Sequence, residues 1–185
     1  FNKKENRYIP IDDGVLDIIE PGFIDKDIDI FIKNLRKNFF PDFLSSINKE
    51  VCKNYKYSHC SLYIYENVSS PRCLHVDSLS PQLKLFLSFS DISKISQGPY
   101  CYIKKSHKYS LLHKFNYFIN FLLGSDMGNN LRDSTLFSSI LASPIFTKKY
   151  DFILSNNCGI HGDLPCSYKS DYGKKVLVFN FTEKI

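Results

Sequence analysis

The segment Leu83-Lys84-Leu85-Phe86-Leu87-Ser88-Phe89 places a leucine at every second position. Side chains two residues apart project from the same face of a β-strand, so this pattern predicts a strand with Lys84, Phe86 and Ser88 on one face. Turn-forming Pro, Gly, Ser and Asp residues separate this strand from similar short segments. Further predicted strands cover residues 61–65, 72–76, 100–103, 150–154, around 159–161, and 175–181.

Helical spacing precedes the strands. Residues 25–38 begin with Asp25, a suitable N-cap, and repeat apolar residues at helical intervals. A second helix is expected after Pro41, because Pro is tolerated in the first helical turn. Its predicted buried stripe consists of Phe43, Leu44, Ile47 and Val51.

The order of these elements predicts an α+β fold in which a barrel or sandwich forms the body. The 185 residues are enough for one domain. Residues 1–58 are expected to form a mainly helical flank and residues 59–182 the strand-rich core. A helical insertion is expected at about residues 110–123, and residues 125–147 have no clear period.

The composition favours lysine over arginine. Only four of the 24 basic residues are arginine, and the net charge is +5. The lysines are scattered in pairs, and no basic run is long enough to predict a nucleic-acid partner. No apolar stretch approaches the roughly 18 residues of a membrane span, so no membrane partner is expected either.

The six cysteines include no C-x-x-C pair, and a core of this size needs no disulfide. Together with the absence of an apolar signal segment, they predict reduced thiols in a cytoplasmic protein.

The motif with most chemical content is Leu74-His75-Val76-Asp77. On a strand, His75 and Asp77 would point to the same side and Val76 to the other. An imidazole and a carboxylate that converge form two-thirds of a 2-His-1-carboxylate triad, which holds non-haem Fe(II) and leaves coordination positions open. Alone, this short motif is common by chance.

Three further features follow the motif in order. A strand ending near Asp91 precedes Gln97-Gly98-Pro99-Tyr100 and then Ser106-His107; Gly159-Ile160-His161 follows; and Lys174-Lys175 opens the last strand. In this order the chain resembles the phytanoyl-CoA dioxygenase-like branch of the Fe(II)/2-oxoglutarate-dependent oxygenases, over about residues 60–182. The resemblance implies a double-stranded β-helix, the jelly-roll core of cupin-like proteins.

The resemblance also implies an activity and its cofactors. The iron ligands would be His75, Asp77 and His161; 2-oxoglutarate and O₂ would be cosubstrates, and a small molecule would be hydroxylated or otherwise oxidised. An intact Asp77 favours hydroxylation over halogenation, since related halogenases replace this carboxylate by a small residue. The polar residues of the irregular segments favour a polar substrate.

The cosubstrate carboxylate is bound in the resembling family by an arginine at the head of the strand after the distal histidine. Here the aligned residue is Lys174, which provides charge without the planar fork of arginine. A shift by one residue would give this role to Lys175. Lys84 is the third candidate, because it interrupts an apolar strand and could point into the barrel.

Two other interpretations remain open. A barrel of this kind could bind a ligand or partner without catalysis, and the lysine in place of arginine keeps that possibility alive. Alternatively, Cys158, His161 and Cys166 have spacings conceivable for zinc, although a fourth ligand is unassigned and His75 and Asp77 would be unused.

Overall fold

A computed structural model describes residues 8–12, 15–66, 68, 74–78, 80–108, 111, 114, 115, 118, 119, 122, 142–164 and 174–183. The strands in these ranges are β1 (Tyr8–Asp12), β2 (Val15–Ile19), β3 (Tyr55–Tyr65), β4 (Gln82–Ser88), β5 (Tyr100–Tyr102), β6 (Ser143–Ile145), β7 (Phe152–Asn156), β8 (His161–Asp163) and β9 (Lys174–Glu183). The helices are α1 (Lys26–Asn34) and α2 (Phe40–Val51). Among the described residues, no helix is both long enough and apolar enough to span a bilayer.

The strands form two antiparallel sheets. The large sheet has the order β1-β2-β3-β9-β4-β7, and the small sheet has the order β6-β5-β8. An isolated bridge between His75 and His161 adds one more pairing beside β8. The mixed helix and strand content predicted from the sequence is confirmed, and the chain crosses between the two sheets several times.

Alternation along β4 and β9 gives the large sheet two different faces. Leu83, Leu85 and Leu87 pack with Leu177, Phe179 and Phe181 in the main hydrophobic cluster, which Ile32 of α1 and Phe40 of α2 cover. The opposite face carries Lys84, Phe86 and Ser88, as the strand periodicity predicts, and this face lines a cavity. The helices therefore seal one side of the sheet and leave the other for a site.

The helices follow the sequence signals closely. The Asp25 carboxylate accepts hydrogen bonds from the backbone N–H groups of Asp27 at 2.7 Å and Ile28 at 3.3 Å, which caps α1. A π-helical turn at Leu35–Phe39 joins α1 to α2 without a break. The predicted stripe of α2 packs on the core through Phe43, Leu44 and Ile47.

Val51 departs from the predicted stripe, because it ends the helix and is 45% exposed.

The N-terminal flank also contains strands that the sequence pattern did not indicate. β2 pairs with residues 61–65 of β3, and β1 pairs with β2, so both extend the large sheet beyond its core. Asp17 interrupts the apolar run of β2, which obscured its strand character.

Predicted strand positions in the second half are shifted by one or two residues. β7 begins at Phe152 because Tyr150 has a left-handed φ of 74° and ends the preceding turn. β8 begins at His161. Of the predicted strand at 72–76, His75 forms the isolated bridge to His161, Leu74 and Val76 are not in a strand, and residues 72 and 73 lie outside the described residues. Most of the predicted 110–123 helix also lies outside them, although its six described residues are helical.

Candidate metal centre

A backbone bridge brings His75 and His161 together. The N–H of His75 donates to the carbonyl oxygen of His161 at 2.8 Å, and the N–H of His161 donates back to that of His75 at 3.0 Å. Their imidazole centroids lie 4.5 Å apart. The two histidines are 86 positions apart in the chain, and sheet register alone brings them together. The sequence could therefore predict each histidine as a candidate ligand but not the distance between them.

Asp77, two residues after His75 in the chain, completes the cluster. Its Oδ1 lies 3.3 Å from Nε2 of His75, and its Oδ2 lies 3.2 Å from Nε2 of His161. Val76 is 2% exposed and packs with Ile103 and Ile160 on the other side. The prediction that His75 and Asp77 point to one side of this segment and Val76 to the other is confirmed.

The arrangement offers three ligand atoms to one ion. One atom from each of His75, Asp77 and His161 lies within 4.8 Å of the other two. Nδ1 of His161 lies 2.8 Å from the carbonyl oxygen of Gly159, which suits Nδ1–H as donor and leaves Nε2 as the ligand nitrogen. Two imidazoles and one carboxylate are a donor set suited to a divalent transition metal.

Gly159 has a steric role in this segment. A Cβ at this position would collide with the hydroxyl of Tyr102 and approach Oγ of Ser106. Oγ of Ser106 accepts the N–H of Ile160 at 2.6 Å, which fixes the backbone just before His161. The Gly-x-His motif is therefore explained by close packing beneath the distal histidine.

Asp77 is held in its ionised form. Burial alone would raise the pKa of its carboxyl, but the close contacts with the His161 and His75 side chains and the positive charge of Lys84 keep that pKa well below its usual range. An ionised carboxylate is the form that binds metal.

Lys84 reaches this cluster from β4. Its Nζ lies 2.7 Å from Oδ2 of Asp77, and its side chain is 11% exposed. Burial opposes the charged form, but Tyr63 and Asp77 raise the pKa of Lys84 above its ordinary value, so the ammonium remains charged. Of the three candidate lysines, this is the one in contact with the triad.

Lys174 enters the same cavity from the start of β9 and is 3% exposed. Its Nζ donates to the carbonyl oxygen of Gly98 at 2.7 Å and to Oδ1 of Asp163 at 2.8 Å, and it lies 4.1 Å from the ring centroid of Tyr65. The hydroxyl of Tyr65 donates to the other oxygen of Asp163 at 2.9 Å. The Lys174 charge is thus already balanced.

Lys175 points the other way and is exposed, outside the residues that line the cavity. Strand alternation at the head of β9 accounts for the difference between these neighbours. The register that the sequence left open is therefore the one in which Lys174 faces inward.

The cavity lies between the two sheets and has a volume of about 100 Å³. Nine of the twenty residues that line it are aromatic or aliphatic, and ten, including the triad, are polar or charged. Tyr63, Tyr65 and Tyr100 line it, whereas Tyr102 does not. Arg72, another basic residue near the motif, lies outside the described residues.

Two residues that the sequence patterns did not reveal contribute to this site. Asn157 donates from Nδ2 to Oδ2 of Asp77 at 2.6 Å, and Asp163 neutralises Lys174. Both are polar residues within four positions of His161, and that proximity was the one signal available.

The zinc alternative gains no support in the described residues. Sγ of Cys158 lies 2.9 Å from the carbonyl oxygen of Ser80 and is not part of the ligand cluster around His161. Cys166 lies outside the described residues. The four described cysteines (Cys52, Cys60, Cys101 and Cys158) are free thiols.

Solved structures of other proteins have this fold. It is shared with HygX. HygX from Streptomyces hygroscopicus, solved with nickel and 2-oxoglutarate bound, superposes with a TM-score of 0.63 at 14% identity, covering 98% of this chain and 76% of that one. No protein-family model matches the sequence, and no curated protein matches it.

Two other structures have the same fold. SnoN, a non-haem α-ketoglutarate-dependent epimerase from nogalamycin biosynthesis, gives a TM-score of 0.64 at 10% identity, covering 95% of this chain and 65% of that one. EvdO2 from Micromonospora carbonacea var. aurantiaca, complexed with 2-oxoglutarate, gives 0.61 at 14% identity, covering 91% and 66%. At these identities the likeness establishes the fold.

Proposed function

We propose that this chain is a non-haem Fe(II)/2-oxoglutarate-dependent dioxygenase that hydroxylates or otherwise oxidises a polar small molecule. The observation that carries the proposal is the convergence of ligand atoms from His75, Asp77 and His161 within 4.8 Å of one another. They line a cavity between the two sheets, where a reaction can be shielded from water.

The strand order supports a double-stranded β-helix core. Along the chain, β3, the His75 bridge, β4 and β5 alternate between the sheets, and β6, β7, β8 and β9 do so in return. Two sheets built from strands that alternate in this way are typical of jelly rolls and cupins. The narrower likeness to phytanoyl-CoA dioxygenases rests on the sequence motifs.

The residues present fit an iron ion. His75, Asp77 and His161 would hold it, and a triad of this type leaves positions open for cosubstrate and oxygen. Bound Fe(II) would supply activation of O₂ for oxidation of the substrate, with 2-oxoglutarate as the co-reductant. The chain's own contribution is to keep Asp77 ionised, to orient His161 through the Gly159 carbonyl, and to exclude water.

For the cosubstrate, we propose Lys84 as the principal cationic partner in place of Lys174. A divalent ion, Asp77 and Lys84 together carry two positive charges, which match the two negative charges of 2-oxoglutarate. Lys174 adds no net charge, because Asp163 lies 2.8 Å from it and would repel an incoming carboxylate.

The polar-substrate proposal is supported by the polar groups at the cavity wall and by the structural neighbours. HygX has also been solved with nickel, 2-oxoglutarate and hygromycin B bound, with a TM-score of 0.60 at 15% identity.

Anaerobic titration tests the proposed function. Adding 2-oxoglutarate to the Fe(II)-loaded protein should produce a weak visible charge-transfer band, and oxygen should then yield succinate and CO₂ in equal amounts. Asp77→Ala serves as the control and should give neither. If the wild-type protein gives no band and no succinate, the enzyme proposal fails.

A non-catalytic binding protein is the second candidate, and the Lys174–Asp163 pair is the observation in its favour. In that case the protein would bind metal or ligand through the same cavity without releasing succinate, so the same experiment separates the two.

A further inference from the structure

The two oxygens of the Asp77 carboxylate have different surroundings. Oδ2 accepts from Nδ2 of Asn157 at 2.6 Å and lies 2.7 Å from Nζ of Lys84. Oδ1 faces Nε2 of His75 at 3.3 Å. Each oxygen therefore lies near one histidine nitrogen, since Oδ2 is also 3.2 Å from Nε2 of His161, but the contacts of Oδ2 with Asn157 and Lys84 are what distinguish it from Oδ1.

Asn157 is built into this position by its backbone. Its carbonyl oxygen accepts the N–H of Asp77 at 3.2 Å, and its own N–H donates to the carbonyl oxygen of Gln82 at 3.0 Å. The residue is 0% exposed. Backbone and side chain thus both connect Asn157 to Asp77, although 80 residues separate them.

The Asn157 amide also contacts the distal histidine. Nδ2 lies 3.0 Å from Nε2 of His161, while Oδ1 is buried and has no hydrogen-bond partner in the described part of the chain. Leaving a buried carbonyl unpaired is unfavourable. The orientation of the amide is therefore explained by its two contacts in the site, because an asparagine with a purely structural role would be expected to satisfy its carbonyl.

We propose that Asn157 is a positioning residue that holds Asp77 as a one-oxygen metal ligand through Oδ1. The inference rests on the proposed function, since it concerns the ion that the triad would bind. A carboxylate free to rotate could offer both oxygens and occupy a coordination position that the cosubstrate or oxygen requires. By fixing Oδ2 with a hydrogen bond, Asn157 keeps that position open.

The test uses Co(II) binding, which has an optical readout that does not depend on activity. Asn157→Ala should weaken Co(II) affinity by about 10- to 100-fold, the usual effect of losing a residue that orients a metal ligand. It should also change the Co(II) absorption spectrum, because Asp77 would alter its mode of coordination. The melting temperature and circular dichroism check that the variant is folded.

Asn156→Ala is the matched control. Asn156 is the last residue of β7, directly before Asn157, and its Oδ1 accepts the N–H of Cys158 at 3.1 Å, with no contact to the triad among the described interactions. It should leave Co(II) affinity within about twofold of wild type, a change too small for a lost hydrogen bond to a charged group. A drop equal to that of Asn157→Ala would assign the effect to the turn and overturn the inference.

Asn157→Asp is a second variant for the case in which alanine prevents folding. It keeps the size of the side chain and replaces the donor nitrogen by oxygen, so the Co(II) spectrum should again differ from wild type. Wild-type spectra and affinities in both folded variants would overturn the inference while leaving the proposed function intact. If the wild-type protein and His75→Ala both fail to bind Co(II), the proposed function fails as well.

Discussion

Lys84 and Lys174 are two buried lysines that enter one cavity from neighbouring strands but have different partners. Lys84 contacts Asp77 of the triad at 2.7 Å, and Lys174 contacts Asp163 at 2.8 Å, away from the triad. Asp77 would also be a ligand of the metal ion, whereas Asp163 pairs with Lys174 and accepts a hydrogen bond from the hydroxyl of Tyr65. We therefore assign Lys84 to the metal and cosubstrate site, and Lys174 to a structural ion pair that stabilises the fold.

Lys174→Met is the substitution with the largest expected effect. It leaves the Asp163 carboxylate without its cation in a mostly buried setting, and removing one partner of a buried pair costs about 3–5 kcal/mol of unfolding free energy. Urea unfolding measures this loss. If stability is unchanged while the KM for 2-oxoglutarate rises sharply, Lys174 binds the cosubstrate and the distinction between the two lysines is wrong.

Lys84→Met should have the next largest effect, and on the cosubstrate. Loss of a charged hydrogen bond corresponds to about 10- to 100-fold weaker 2-oxoglutarate binding. The charge-transfer titration measures that affinity, and Lys84→Arg should recover part of it. An unchanged affinity would remove Lys84 from the site.

Replacing both members of the second pair sharpens the comparison further. Lys174→Met combined with Asp163→Leu should be more stable than Lys174→Met alone, because an apolar pair leaves no uncompensated charge. A double-mutant cycle in urea measures the coupling between the two residues. If the two substitutions change the unfolding free energy in a strictly additive way, the structural role assigned to the Lys174–Asp163 pair is wrong.

Lys175→Met should have the smallest effect. The side chain is exposed on the opposite face of β9, and surface substitutions change stability by about 0.5 kcal/mol or less. Both the unfolding free energy and 2-oxoglutarate affinity should match the wild type. A marked change in either would mean that the register of β9 differs from the one described.

The lysines also illustrate which features were predictable from the sequence. Period-two alternation predicted the common face of Lys84, Phe86 and Ser88, and the i, i+2 rule predicted that His75 and Asp77 converge. These are local consequences of strand geometry, so they require no knowledge of the fold.

Features that depend on pairing between distant segments were not predictable. The Lys174–Asp163 pair requires the head of β9 to face β8, and the Asn157–Asp77 bond joins the turn after β7 to a bend 80 residues earlier. The same holds for β2, whose strand character is stabilised by pairing with residues 61–65 of β3. Local sequence patterns do not encode such registers.

The most direct test of the central claim is a crystal structure of the protein soaked anaerobically with Ni(II) and 2-oxoglutarate. The account predicts one metal ion bound by His75, Asp77 and His161, with a carboxylate of the cosubstrate against Lys84 and the Lys174–Asp163 pair intact. A metal bound by Cys158 instead, or no ion at the triad at saturating Ni(II), would contradict it.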